Sequence, residues 1–408
     1  MHLLSPANSF LFAQCAIGKL HFHPQRIRHG FDETITLDDY YRQIARSGSP
    51  LQPRRHGLGE NEFWAGMATV PESMTLTSWI TEQAVEFLAE RRDPTTPFFL
   101  WVSYSKPHPP LDPPEPYYSM YRQEAIPDPW MADWTDAPDR PEAVRRHQQA
   151  QSTDRMSPRQ IHQARAAYYG LITQIDYNLG RIIGAIQDTG CFFSPNDNTM
   201  ILFCSDHGEY LGDHRMLAKD TFHEGSAHVP FILRLPRTWK DRPVGVECDA
   251  LTTHQDILST FVSAAGGAVP DDKDGLDLVR VLNGETGPRP YLYGAQGFNL
   301  KRPDEANWLG VTDGRWKYAW YCIDGTEQLF DLESDPHELH DRSKDSDAAE
   351  IRRRLRDQLT EQLAAVAPRF LKDGQLYSRP FTPPSEAQRR SRGFPGFMRD
   401  QHRSDALH

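Results

Sequence analysis

At 408 residues, the chain is long enough for a large core and a smaller second one. Its 45 Lys and Arg against 56 Asp and Glu leave a net charge of −11, which argues against nucleic acid or an acidic membrane as a general partner. An anionic small substrate remains open, because local cations can build an anion site inside an acidic protein. Five scattered cysteines (Cys15, Cys191, Cys204, Cys248 and Cys322) contain no C-x-x-C pair, so they give neither a disulfide framework nor a zinc signature. No apolar run approaches a membrane span. The first residues lack the basic stretch and long apolar core of a secretory signal, so the default compartment is the cytoplasm unless a signal lies upstream.

In chain order, residues 16–24 read as a short strand, a glycine turn and alternating basic groups. On an extended segment Lys19 and His21 share one face, which suits an oxyanion or contact with water. Residues 46–72 are irregular. Residues 77–91 carry apolar groups at helical spacing, with Thr75 or Thr77 as the cap. Residues 97–104 read as a buried strand feeding Ser105-Lys106-Pro107-His108-Pro109-Pro110. The prolines fix the direction of His108, with Lys106 as a second cation; a plain polyproline connector is the alternative. Residues 111–158 read as an ordered, irregular insertion able to select substrates, and residues 159–189 as a long helix that Gly190 ends.

Residues 199–203 form an apolar, partly β-branched run of buried-strand length that delivers Asp206-His207-Gly208 to its carboxyl end. In open α/β sheets ligands bind at that end. A hard oxygen donor beside an imidazole can hold one divalent ion, although capping a turn is the simpler role for so short a motif. Glu209, Asp213, His214, Lys219, His223 and Glu224 follow before a second strand at 229–235. A helix over 253–265 ends at Gly266-Gly267. Short strands come next at 291–295, 308–312, 316–322 and 328–331, with hairpin turns at Asp313-Gly314 and Asp324-Gly325. A helix spans 349–366, and the Arg- and Pro-rich residues 378–408 read as a mobile tail.

Several of these stretches together resemble the sulfatase family of the alkaline phosphatase superfamily. They are Gly18-Lys19-Leu20-His21, Pro107-His108-Pro109-Pro110, and Ser205-Asp206-His207-Gly208-Glu209-Tyr210-Leu211-Gly212-Asp213-His214. Lys219, Val229-Pro230-Phe231-Ile232, and Leu329-Phe330-Asp331-Leu332 with Asp335-Pro336-His337-Glu338 complete the set, all in the family's order. The resemblance implies an alkaline-phosphatase-like α/β/α sandwich with a mostly parallel sheet plus a small C-terminal antiparallel sheet. Residues 1–288 would form the core, 289–345 the small sheet, 346–377 the C-terminal helix and 378–408 the tail.

The resemblance also implies a hydrolase of sulfuric esters acting on a sulfated small molecule or carbohydrate. Lys19, His21, His108 and Lys219 would be catalytic, and Asp206 and His207 metal ligands. All six would meet in one pocket. The metal would be Ca²⁺, with Mn²⁺ as the alternative because His207 replaces the family's other choice, Asn. Relatives carry two further acidic ligands and a C-x-P-S-R or S-x-P-S-R nucleophile motif ahead of G-K-x-H; this chain has neither, and Cys15 is followed by Ala16-Ile17-Gly18. The expectation is therefore an N-terminally truncated sulfatase without activity as written. A phosphonate monoester or phosphodiester hydrolase of the same superfamily, and a non-catalytic binding protein keeping the fold, are the alternatives.

Overall fold

The structure, a computed structural model, describes residues 12–151, 156–192, 194–296 and 307–379. The residues before Phe12, and the expected tail from residue 380 onward, lie outside the described residues. The elements begin with β1 (Ala13–Gly18), β2 (Glu33–Thr36), α1 (Leu37–Arg46), α2 (Leu76–Glu86) and β3 (Phe98–Ser103). Helices α3 (Tyr117–Met120), α4 (Glu142–Gln151) and α5 (Pro158–Asp188) follow, then β4 (Ile201–Cys204), α6 (Glu224–Ala227) and β5 (Phe231–Arg234). Next come α7 (Gln255–Ala264), α8 (Leu278–Leu282), β6 (Leu292–Gln296), β7 (Trp308–Thr312), β8 (Trp316–Tyr321), β9 (Glu327–Asp331) and α9 (Ala349–Val366). They assemble into two compact units, each built from separated stretches of chain. The first takes Met1–Pro127, Pro158–Ile201 and Leu233–Arg242, and the second takes Asp128–Ser157, Leu202–Ile232 and Pro243–His408.

The first unit is organised on a parallel sheet of order β2-β1-β3. The central strand β1 buries Cys15, Ala16 and Ile17 completely, as a strand covered on both faces must. Thr75 caps α2 by accepting the Ser78 N–H, one of the two caps the sequence offered. Trp79, Ile80 and Ala84 of α2 pack into one cluster with Ile17 and with Ile182 and Ile186 of α5. Helix α5 keeps its expected length, and Gly190 follows it at φ +73°. Strand β3 departs from the buried strand expected: it is half-buried and Trp101 is 40 % exposed. The reason is position, since β3 is the edge of its sheet and pairs only with β1 among the described residues.

The second unit contains the antiparallel sheet β6-β7-β8-β9, its turns made where Gly314 and Gly325 take φ +95° and +75°. Leu355, Leu359 and Leu363, spaced at four, seat α9 on Leu309, Val311, Tyr318 and Trp320. Strands β4 and β5 pair as a two-stranded sheet. The strand expected at 199–203 begins two residues later, and Phe203 is 37 % exposed, not buried. The insertion is also more regular than expected, because it contains α3 and α4. Helix α4 has few apolar residues; Val144 is buried, and Glu142 binds Arg145 and Arg146 at three and four residues' distance. A charge-stabilised helix of this kind leaves no hydrophobic period to read.

Candidate functional site

In the first unit, β1 and β3 run parallel and end together at Gly18 and Ser103. Gly18 has φ +107°, and a Cβ there would stand 1.9 Å from the Ser103 carbonyl oxygen, so glycine is required. The next residue is clamped to the same strand end. The Lys19 N–H donates to the Ser103 carbonyl at 3.0 Å, and the Ser103 hydroxyl donates to the Lys19 carbonyl at 2.7 Å. Lys19 is thereby fixed, half-buried, at the carboxyl edge of the sheet. The premise that Lys19 and His21 share a strand face does not hold. Both lie beyond β1, and His21 is exposed with φ +51°, outside the extended region.

His108 lies beyond the carboxyl end of β3, in a loop where Lys106 and Asp112 are tied to each other. Its Nδ1 donates to the Pro109 carbonyl at 2.9 Å, which fixes the tautomer and turns Nε2 away. Lys106, the second cation beside His108, is an internal partner. Its ammonium donates to the Pro110 carbonyl and to Asp112. His56 Nε2 holds the other Asp112 oxygen at 3.0 Å. Burial would raise the Asp112 carboxyl, but the Lys106 charge and the hydrogen bonds from His56 and Lys106 outweigh it and hold it below the usual carboxylate value. Lys106 therefore buttresses the His108 loop.

In the second unit, Asp206 and His207 follow β4. His207 Nδ1 donates to the Gly208 carbonyl at 2.8 Å, leaving Nε2 as the basic ring nitrogen. That nitrogen lies 3.6 Å from Asp206 Oδ2, close enough for both to reach one ion at bonds of about 2.0–2.6 Å. Among the described residues no group of three or more His, Cys, Asp or Glu side chains is placed to hold a metal. The pair fits two coordination positions and not a full ligand set. The turn itself is rigidly seated. Gly208 donates its N–H to the Ser226 carbonyl at 2.9 Å, and a Cβ on it would stand 2.3 Å from the Gly225 carbonyl oxygen.

Lys219 is half-buried at the end of a closed loop. Tyr210 N–H donates to the Ala218 carbonyl, and Glu209 Oε1 accepts the N–H groups of Leu211 at 3.2 Å and Ala218 at 2.5 Å. Burial pushes the Glu209 carboxyl up to about 8 against those hydrogen bonds and the Lys219 charge. The residues of the insertion that belong to this unit brace the loop. The Trp130 N–H donates to Asp213 Oδ1, the His214 N–H to the Trp130 carbonyl, His147 Nε2 to the Leu217 carbonyl, and Gln148 Nε2 to the His214 carbonyl.

His214 and His223 are core residues that both pack on Trp134, with ring centroids 4.7 and 4.8 Å from it and 6.0 Å from each other. Burial lowers the His214 imidazole to about 4 and holds His223 well below its ordinary value. Sequence reasoning missed a buried ion cluster. Lys317 binds Glu224 and lies 3.0 Å from Glu338, and Glu338 Oε2 accepts the Glu224 N–H at 2.7 Å. Glu338 is the last residue of the Asp335-Pro336-His337-Glu338 motif. Its position there was the one available signal, because a lysine in an apolar strand reads as an edge charge until its partners are placed.

A sequence model of the sulfatase family matches residues 12–268, and one described as N-sulphoglucosamine sulphohydrolase, C-terminal, matches residues 212–365. The chain is 33 % identical to an arylsulfatase of Clostridium perfringens over 350 residues, 80 % of this chain and 70 % of the relative. It is 28 % identical to a choline-sulfatase of Rhizobium meliloti over 340 residues, 79 % of this chain and 63 % of the relative. It thus spans between three fifths and three quarters of their lengths. Among solved structures it resembles the phosphonate monoester hydrolase SpPMH from Silicibacter pomeroyi, with a TM-score of 0.69 and 23 % identity over 87 % of this chain and 78 % of that one. That likeness speaks for the fold: mixed α/β, with a parallel sheet and a small antiparallel one, of the alkaline-phosphatase-like kind.

Proposed function

We propose that this chain, which belongs to the sulfatase family, is a sulfatase-type hydrolase whose substrate is a sulfuric ester of a small molecule or carbohydrate. The match to the N-sulphoglucosamine sulphohydrolase C-terminal model favours the carbohydrate. One observation carries the reading: the longest family-like stretch folds as a strand end that presents Asp206 Oδ2 and His207 Nε2 3.6 Å apart. In this reading Asp206 and His207 supply two ligands to a divalent metal, Ca²⁺ with Mn²⁺ as alternative, which neutralises charge on the ester oxygens when bound. Lys19 and Lys219 offset the remaining oxyanion charge. His108, with its Nδ1–H held on the Pro109 carbonyl, gives the Nε2 proton of its imidazolium form to the leaving oxygen, and His21 contacts the sulfate.

Residues 1–408 contain no C-x-P-S-R or S-x-P-S-R motif and so no residue assigned as the nucleophile. Turnover by this stretch alone is therefore expected to be slight or nil. A second reading, phosphonate monoester hydrolysis, is favoured by the likeness to SpPMH. Binding of an aryl sulfate and an aryl phosphonate monoester, measured by calorimetry beside hydrolysis of both with Ca²⁺, Mn²⁺ or chelator, separates the readings. Tighter binding of the sulfate supports the first. Metal-dependent phosphonate hydrolysis supports the second and shows that another residue acts as nucleophile. Binding of neither ester refutes both.

A further inference from the structure

We propose that His228 is an additional anion-contacting residue, its imidazole held beside the Asp206–Gly208 turn by Glu224 and presenting an N–H to the oxygens of the bound ester. The proposal rests on the reading above in taking an anionic ester as ligand. His228 follows α6, and its backbone lies against the turn: a Cβ on Gly208 would stand 3.3 Å from the His228 carbonyl oxygen. The Ser226 carbonyl accepts the Gly208 N–H, so residues 225–228 and the turn form one backed surface. The His228 side chain is 74 % exposed, yet its Nδ1 is fixed 2.8 Å from Glu224 Oε2. The two nitrogens of an imidazole lie on opposite sides of the ring, so anchoring Nδ1 on Glu224 turns Nε2 away from it.

A surface Glu–His pair four residues apart contributes little when both partners move freely. Glu224 does not move freely. Its other oxygen takes the ammonium of buried Lys317, and its own N–H donates to Glu338. Lys317 in turn donates to the Phe222 carbonyl at 2.9 Å and lies over the Phe222 ring. Against burial, His228 and Lys317 hold the Glu224 carboxyl at about 2, whereas burial pushes the Glu338 carboxyl up to about 7, so Glu224 is the settled anion of the cluster. An imidazolium at His228 is paired with that carboxylate at the exposed end of the cluster. The bond to Glu224 raises the His228 imidazole above its ordinary value, which favours that imidazolium.

The test uses residues 1–408 with ¹⁵N-labelled histidine, titrated at constant ionic strength with sodium sulfate and, separately, with sodium phosphate. Wild type is expected to show a saturable shift of the His228 ring signals. His228→Ala, an exposed substitution that leaves the core intact, is expected to weaken anion binding about tenfold, the loss of one charge-assisted hydrogen bond. His228→Arg restores it within about threefold, because the cationic donor remains. Glu224→Gln also weakens it, because the ring loses its anchor. Phosphate binding that depends on His228, with no sulfate binding, upholds the assignment of His228 while removing the sulfate preference of the proposed function. Anion binding by His228→Ala as tight as wild type, or binding of neither anion by wild type, overturns the proposal.

Discussion

Gly18 and Gly30 make a controlled pair for measuring what the strand end at Lys19 requires. Both have strongly positive φ, +107° and +101°, which an L side chain rarely adopts. A Cβ on Gly30 meets nothing within 4 Å, whereas one on Gly18 would stand 1.9 Å from the Ser103 carbonyl oxygen and 2.9 Å from its carbon. Gly30→Ala therefore carries only the conformational cost, about 1–3 kcal/mol. Gly18→Ala carries that cost and must also push β3 away. This breaks the Lys19 N–H bond to the Ser103 carbonyl and the Ser103 hydroxyl bond to the Lys19 carbonyl, about 1 kcal/mol each. The expected losses are thus about 1–3 kcal/mol at Gly30 and about 3–5 kcal/mol at Gly18. Urea unfolding of the parent and both variants gives the midpoints, and hydrogen exchange at the Lys19 amide gives the local effect. Equal destabilisation by the two variants, with the Lys19 amide still protected in Gly18→Ala, would show that Gly18 is needed only for its dihedral and would refute the clamp.

Lys106→Met should destabilise the chain by about 3–5 kcal/mol, because it leaves the Asp112 carboxylate buried against His56 alone; an unchanged urea midpoint would mean that the Lys106–Asp112 pair does not hold the loop. Asp206→Asn should abolish the weak Ca²⁺ or Mn²⁺ binding expected of residues 1–408 in calorimetry, while a metal affinity indifferent to both Asp206→Asn and His207→Ala would place the ion elsewhere. Acid unfolding should carry a signature of Glu224. Burial would raise its carboxyl, but His228 and Lys317 outweigh this and hold it at about 2. A depressed carboxyl contributes stability above its unfolded value of about 4.3 and loses it as pH falls from there toward 2. Glu224→Gln should accordingly flatten that part of the pH–stability curve, and an unchanged slope would mean that the Lys317 cluster is not charged as described.

The two ends of the chain's information were unequal. Short runs separated by Asp-Gly turns placed β7 to β9 within a residue or two, and the helix read over residues 349–366 is α9 at the same bounds, because local pattern and turn chemistry alone decide such elements. Helix α4 escaped because charge pairs stabilise it where no apolar stripe exists. The burial of β3 and β4 was overstated, since an apolar run of strand length reads the same in the centre of a sheet and at its edge. Of the candidate site, the ligand-type pair Asp206-His207 was legible as a motif. The fate of each cation was not: Lys106 and Lys317 are alike in sequence, both beside aromatic or apolar residues, and only the distant Asp112, Glu224 and Glu338 reveal that both are internal partners.

The seating of the Asp206–His207 turn has a consequence for synthesis. The turn rests on residues 225 and 226, which depend on Glu224, and Glu224 is gripped by Lys317 and by Glu338, 114 residues further along. At roughly 5–20 residues per second, a ribosome needs on the order of 6–23 s to travel from one glutamate to the other. During that interval the ligand pair lacks its full support, and until Lys317 is made, 93 residues after Glu224, Glu224 has no ammonium to meet. The order of translation thus makes the metal-ligand turn one of the late-setting parts of the molecule. A nascent chain stopped between β7 and β9 would carry the motif intact and the geometry unfinished.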